Sequence, residues 1–387
     1  MTDVMRFETA AIHAGQDPDP ATGAAIVPIY QTSTFAQQAV GHHKGFEYAR
    51  TDNPTRRALE TCLAALEGTE HAIAFASGMA AITMLVMALP KDKRRVLIPD
   101  DGYGGTFRLM DKVMVGQGAT YATVDMTRPE AVADQLDGVG LVLAESPTNP
   151  LLKVLDLETL ARLTHEAGAL FAVDNTFATP FVQRPLDLGA DAVVYSATKY
   201  LGGHSDLVAG AVTTGNGDLA DRLRFLQNAV GAVPGPFDSW LLLRGLKTLG
   251  LRMRRHSHNA ARVADWAASR PEFRRVLYPG LEGAGDASLA RRQMSASGEP
   301  LYGGMVTVEL DSEEQALRVC ASTYLFFLAE SLGGVESLIE HPGKMTHASL
   351  AGSGIEVSPA LVRLSVGIEH PDDLIADLEG ALAKAAG

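Results

Sequence analysis

Apolar and polar positions alternate in a regular rhythm from about Asn53 to residue 250. Apolar runs of strand length, Arg95–Ile98, Gly140–Ala144, Ala169–Val173 and Ala190–Tyr195, are separated by stretches with helical spacing. In Leu155–Ala167, for example, Leu155, Leu157, Leu160 and Leu163 are spaced for one helix face. Turn signals such as Glu166-Ala167-Gly168 and Asp187-Leu188-Gly189 close helices before strands. This alternation predicts an α/β fold with a mostly parallel sheet covered on both faces. Such sheets take their ligands at the carboxyl ends of the strands.

The rhythm differs at both ends of the chain. Residues 1–50 show little periodic hydrophobicity and much Gly, Pro, Thr and Gln, as in Pro28–Thr34. They read as an extended arm against a neighbouring subunit. From 251 the pattern predicts a long helix through Arg252–Ala268, a strand at Gly304–Leu310, a short helix near Glu313–Cys320 and a closing helix at Pro371–Lys384. The expected division is therefore an arm (1–50), an α/β ligand-binding domain (51–250) and a smaller α+β domain (251–387). No internal repeat or low-complexity tract interrupts it.

Composition narrows the class. With 387 residues, 46% hydrophobic and 20% charged, the chain reads as a soluble two-domain enzyme. A formal net charge of −13 argues against nucleic acid or an anionic membrane as partner. The two cysteines, Cys62 and Cys320, give neither a disulfide framework nor a metal cluster, so a reducing cytoplasm is expected. The first eight residues lack a secretory leader's basic start and apolar core, and no apolar run reaches membrane-helix length.

Against that background Lys199 stands out, in Tyr195-Ser196-Ala197-Thr198-Lys199-Tyr200 at the end of an apolar run. An unpaired ammonium is costly to bury, but a neutral amine there suits a Schiff base to an aldehyde cofactor. Asp174 ends the preceding apolar run, and a lysine with an aspartate on neighbouring strand ends matches a pyridoxal phosphate site. The competing reading is two polar residues that never meet. Ser77-Gly78-Met79 opens the apolar helical run Ala80–Leu89; free N–H groups there suit a phosphate, although Ser77 could simply cap the helix. Ser196 and Thr198 add hydroxyls beside the lysine. Tyr103, in a Gly-rich turn, could stack on a ring and carry protons, or could pack as a loop tyrosine. Tyr48 and Arg50 end the arm, where the arginine could bind phosphate in a partner's site or remain a solvated charge. Arg363 is a charge in an apolar alternation; its partner is either a substrate carboxylate or a structural acid. His256 and His258 lack metal-ligand spacing, and Gly202-Gly203-His204 lacks the Lys-Ser/Thr of a P-loop.

Together with Tyr48-Ala49-Arg50, Asn53-Pro54-Thr55, Asp174-Asn175-Thr176, Gly203-His204-Ser205-Asp206 and Ser331–Glu336, these motifs resemble the Cys/Met-metabolism family of pyridoxal phosphate enzymes over nearly the whole chain. The resemblance implies the type I aminotransferase fold, a small sulfur-containing amino-acid substrate, and a homotetramer of two dimers with shared active sites. It implies Lys199 as Schiff-base lysine and proton carrier, Asp174 as partner of the pyridinium nitrogen, and Tyr103 as the stacking and proton-transfer residue. Gly78, Met79, Ser196 and Thr198, beside Ser77, would form the phosphate cradle, completed by Tyr48 and Arg50 of a neighbouring subunit. Arg363 and Asn149 would hold the α-carboxylate, and Ser331 would orient the lysine.

Within the family, Gly105 stands where methionine γ-lyases usually place a cysteine. Glu330 and Glu47 resemble residues of the γ-acting branch, with Glu330 holding a distal amino group. Tyr195 favours the lyase, since synthases often carry His there. The reading that follows is cystathionine γ-lyase, which releases cysteine, 2-oxobutyrate and ammonia. The alternatives are a γ-synthase joining an O-acylhomoserine and cysteine, and a cofactor-binding regulator or scaffold. Asp52 and Gly343-Lys344, ahead of Met345-Thr346-His347, depart from the family pattern and would alter the substrate entrance.

Overall fold

The computed structural model describes residues 5–346 and 357–385. Residues 1–4, on which part of the leader reading rests, and His347 lie outside them. The larger sheet contains β1 (His71–Phe75), β2 (Arg95–Pro99), β3 (Thr120–Val124), β4 (Leu141–Glu145), β5 (Leu170–Asp174), β6 (Ala192–Ser196) and β7 (Gly210–Thr214). Their order is β1-β7-β6-β5-β4-β2-β3. All run parallel except β7, which lies antiparallel between β1 and β6. This is the mostly parallel α/β sheet that the alternation predicts, with strand ends within two residues of the apolar runs.

The reason the strands pair this way is visible in their composition. β4, β5 and β6 are almost wholly apolar, and both faces are covered. Ile73, Ile98, Leu143 and Val194 pack against the helices Gly78–Ala88 and Gly217–Val230 on one face. Leu97, Val142 and Phe171 pack on the other with the helix Leu157–Glu166. The helix Pro54–Glu67, which periodicity alone did not single out, is set by its ends. The Asn53 side chain accepts hydrogen bonds from Thr55 N and Arg56 N, Pro54 occupies the first turn, and Gly68 closes it in the left-handed region. The arm is not extended throughout: Phe7–His13 is helical, with Ala10 and Ala11 buried on the same chain.

The remaining strands are β8 (Arg275–Leu277), β9 (Ser295–Ala296), β10 (Glu299–Pro300), β11 (Met305–Glu309), β12 (Phe327–Leu328), β13 (Leu338–Glu340) and β14 (Leu361–Ser365). β9 and β10 form a ribbon, and the others a second sheet in the order β12-β13-β14-β11-β8. One long helix, Leu249–Ala268, belongs to both cores. Leu249 and Met253 pack with Tyr195, Ala197 and Tyr200 of the first sheet region. Ala260, Val263, Ala264 and Ala267 pack with Val306 and Leu364 of the second. Among the described residues no helix is long and apolar enough to cross a membrane.

Candidate active site

The carboxyl ends of β1, β2, β4, β5 and β6 share one edge, and the residues just beyond them converge on one cavity of about 310 Å³. Ser77, Gly78, Met79, Tyr103, Asn149, Asp174, Ser196, Thr198 and Lys199 line it from the first sheet. Glu330, Ser331 and Arg363 line it from the second. Residues far apart in sequence thus meet where ligands of such sheets bind.

Lys199 lies in the turn after β6. Its Nζ is 2.6 Å from Ser331 Oγ. Burial, reinforced by the Arg363 charge, pushes its pKa down to about 8, so a substantial neutral fraction exists near neutrality. Ser331 itself has a φ of 102°, unusual for a side-chain-bearing residue, and its carbonyl accepts from Arg363 Nη2 at 2.9 Å.

Asp174 is half-buried at the end of β5. Burial raises its pKa, while the hydroxyl and N–H of Thr176 oppose that shift. Thr176 Oγ1 in turn accepts from Ser196 N, which ties the aspartate strand to the lysine strand. Ser77 does cap the helix Gly78–Ala88, its hydroxyl accepting from Ala80 N at 3.0 Å. Gly78 lets that helix start approach Ser196: a Cβ on it would lie 2.8 Å from Ser196 Cβ. Thr198 Oγ1 is bound to the Ala209 backbone on both its donor and acceptor sides.

Arg363, 2% exposed, has a structural acid as partner. Nη1 donates to Asn149 Oδ1 and Nη2 to the Ser331 carbonyl, each at 2.9 Å. Glu340 Oε2, directly opposite in register on β13, is also 2.9 Å from Nη2. Nε is buried and has no hydrogen-bond partner among the described residues.

The sequence-derived residues Tyr48, Arg50 and Glu47 do not line this cavity. Arg50 Nη1 donates to the carbonyl and side-chain oxygens of Asn228 at 2.7 Å each, and Glu47 pairs with His43 at 3.2 Å. Asp52 and Lys344 are engaged elsewhere as well, with Arg57 and with Glu313 respectively. Tyr195 does not line the cavity either; its hydroxyl is buried against Glu67 and Asn175. His256 packs edge-on against Tyr200, and the described residues contain no cluster of metal-ligand type.

Sequence reasoning missed Glu145 and Glu340, and gave Thr176 no role beyond its place in the Asp174-Asn175-Thr176 motif. Glu145 lines the cavity at the end of β4, accepting from Tyr103 N at 2.9 Å and Asn149 N at 2.7 Å. The signal was present: a carboxylate ending an apolar run, as Asp174 does. Glu340 likewise ends Leu338-Ile339.

The donor set fits a phosphate-bearing aldehyde. An amine of lowered pKa, a half-buried carboxylate, a ring-bearing turn and a helix start made accessible by Gly78 surround one space. Comparison with known proteins agrees. The family model described as Cys/Met metabolism PLP-dependent enzyme matches residues 8–383. Cystathionine gamma-synthase of Mycobacterium tuberculosis is 54% identical, covering 97% of this chain and 96% of the relative. Cystathionine beta-lyase of Coxiella burnetii is 48% identical, covering 97% of each. The crystal structure of cystathionine gamma-lyase from Lactobacillus plantarum, complexed with L-serine, superposes with a TM-score of 0.93 at 42% identity, covering 99% of this chain and 100% of that one. The chain belongs to the Cys/Met-metabolism family of pyridoxal-phosphate-dependent enzymes.

Proposed function

We propose that this enzyme makes or breaks the Cγ–S bond of cystathionine. The observation that carries this reading is Glu330, a carboxylate on the wall of the cavity that also holds Lys199 and Arg363. An amino acid gripped by its α-carboxylate at Arg363 would extend a distal ammonium toward it. The first reading is γ-replacement: cysteine sulfur bonds to Cγ of an O-acylhomoserine, and the acyl group leaves as a carboxylate. It is favoured by the 54% identity to a cystathionine gamma-synthase. The second is α,γ-elimination, in which cystathionine and water give cysteine, 2-oxobutyrate and ammonia. The structural likeness to a cystathionine gamma-lyase supports it. Tyr195, the residue that favoured elimination, is remote from the cavity wall and carries less weight.

When bound, the cofactor supplies an electron-withdrawing ring beside the substrate Cα. Lys199 takes the Cα proton and handles those at Cβ, and Ser331 Oγ orients its Nζ. Arg363 and Asn149 fix the α-carboxylate. Asp174 would pair with the ring nitrogen, Tyr103 would cover the ring, and Ser77, Gly78, Met79, Ser196 and Thr198 would hold the phosphate. Tyr48, Arg50 and Glu47 serve a neighbouring subunit's site, which makes the active unit at least a dimer and, by the family's habit, a tetramer. The arm (1–50), the cofactor domain (51–250) and the C-terminal domain (251–387) are the corresponding division. Two free, buried thiols suit a reducing cytoplasm.

The deciding experiment incubates enzyme with cystathionine alone, then with an O-acylhomoserine plus cysteine. Strong thioether formation in the second with little oxo acid from the first supports replacement. Release of cysteine and 2-oxobutyrate from the first, without synthesis in the second, establishes elimination. Inertness of both mixtures rejects chemistry at Cγ.

A further inference from the structure

We propose that Glu145 is a positioning residue that sets Tyr103 and Asn149 at a fixed spacing across the cofactor site. Glu145 ends β4 in direct register with Asp174 at the end of β5, and both line the cavity. Its two oxygens do separate work. Oε2 accepts the N–H of Tyr103, in the turn after β2, at 2.9 Å. Oε1 accepts the N–H of Asn149, in the loop after β4, at 2.7 Å. The Asn149 side chain then accepts from Arg363 Nη1. One carboxylate thereby connects the residue over the ring, the residue at the substrate carboxylate and the neighbourhood of the ring nitrogen.

Holding the two loops together does not require this arrangement. Thr148 Oγ1 already donates to Asp101 Oδ2 at 2.7 Å, joining the same loops through a different pair. A second tie made by a carboxylate beside the Asp174 carboxylate is electrostatically unfavourable: burial and the Asp174 charge push the Glu145 pKa up, and the Tyr103 and Asn149 N–H groups oppose that shift. A carboxylate nevertheless has a capacity that no neutral side chain offers: two equivalent acceptor oxygens for two converging N–H groups. An amide has one acceptor oxygen, and its NH2 would confront one of the N–H donors.

The inference rests on the family's cofactor and not on the direction of the reaction, so its test reads cofactor binding first. In Glu145→Gln, cofactor affinity measured by absorbance titration is expected to fall about tenfold, as for loss of one charge-assisted hydrogen bond. The circular dichroism of the bound cofactor is expected to weaken, because Tyr103 no longer holds one orientation over the ring. KM for the amino acid is expected to rise more than kcat falls, through Asn149 and Arg363. Glu145→Asp keeps the charge but shortens the reach, so it is expected to recover part of the affinity and dichroism; it also carries the test if the Gln variant does not fold. Wild-type cofactor affinity and dichroism in either variant, with only the melting temperature lowered, would overturn the proposal and leave Glu145 a structural tie.

Discussion

Glu340 and Arg363 face each other across β13 and β14, with Oε2 2.9 Å from Nη2 and both side chains almost wholly buried. The guanidinium proposed to grip substrate therefore already has an acidic partner. Replacing Glu340 by Ala leaves that cation uncompensated and is expected to cost about 3–5 kcal/mol in urea unfolding. Glu340→Gln keeps an acceptor while removing the charge. It is expected to cost less stability and to lower KM for the amino acid, because Arg363 then attracts the α-carboxylate more strongly. An unchanged or raised KM in the Gln variant would count against Arg363 as the carboxylate anchor.

Lys199 titrates at about 8, below its ordinary 10.5, because burial and the Arg363 charge disfavour its ammonium. Attack on an aldehyde requires the neutral amine. The rate of cofactor uptake by apoenzyme is expected to rise about tenfold per pH unit well below 8 and to level off above it. Lys199→Arg is expected to abolish covalent uptake. A flat profile below about pH 8 would show that the amine is already neutral there.

Glu67 carries a pKa pushed up to about 7 from 4.5 by burial, opposed in part by the Tyr195 hydroxyl. The folded chain therefore holds this proton more tightly than the unfolded chain. Its stabilising contribution is complete below pH 4.5 and is lost as pH rises through about 7. The expected fall is roughly 3 kcal/mol across that window. Glu67→Gln is expected to remove that part of the slope, as read by denaturant melts at pH 5 and pH 8. Identical slopes in variant and parent would mean that another group sets it.

Arg50 lies outside its own chain's cavity, and its loss is expected to act on a neighbour's site. Arg50→Ala and Lys199→Ala preparations should each be impaired, and dissociating and reassociating them together should restore part of the activity. Mixed oligomers with no recovery would place Arg50's role within its own subunit.

Much of this was legible in the sequence because the relevant signals are local. Lys199, Asp174 and Ser77-Gly78 each end an apolar run, and a parallel sheet brings such ends to one edge without further information. β7 was harder: its residues Gly210–Thr214 read as any buried strand, and nothing local sets its direction. Glu145 and Glu340 were overlooked for a different reason. Their meaning depends on which strands are neighbours, Glu145 against Asp174 and Glu340 against Arg363, and register across a sheet is a long-range property. Tyr195, close in sequence to Lys199, points away from its cavity into a buried network.

The helix Leu249–Ala268 gives the site a mechanical property. One of its halves is fixed in the core beneath Lys199, and the other in the core behind Arg363. An α-helix resists bending and stretching far more than a loop does, so this rod acts as a spacer between the cores that carry Lys199 and Arg363. A kink introduced near Ser257, midway along a rod of roughly 30 Å, would change the separation of Lys199 and Arg363 while leaving every residue around the cavity intact.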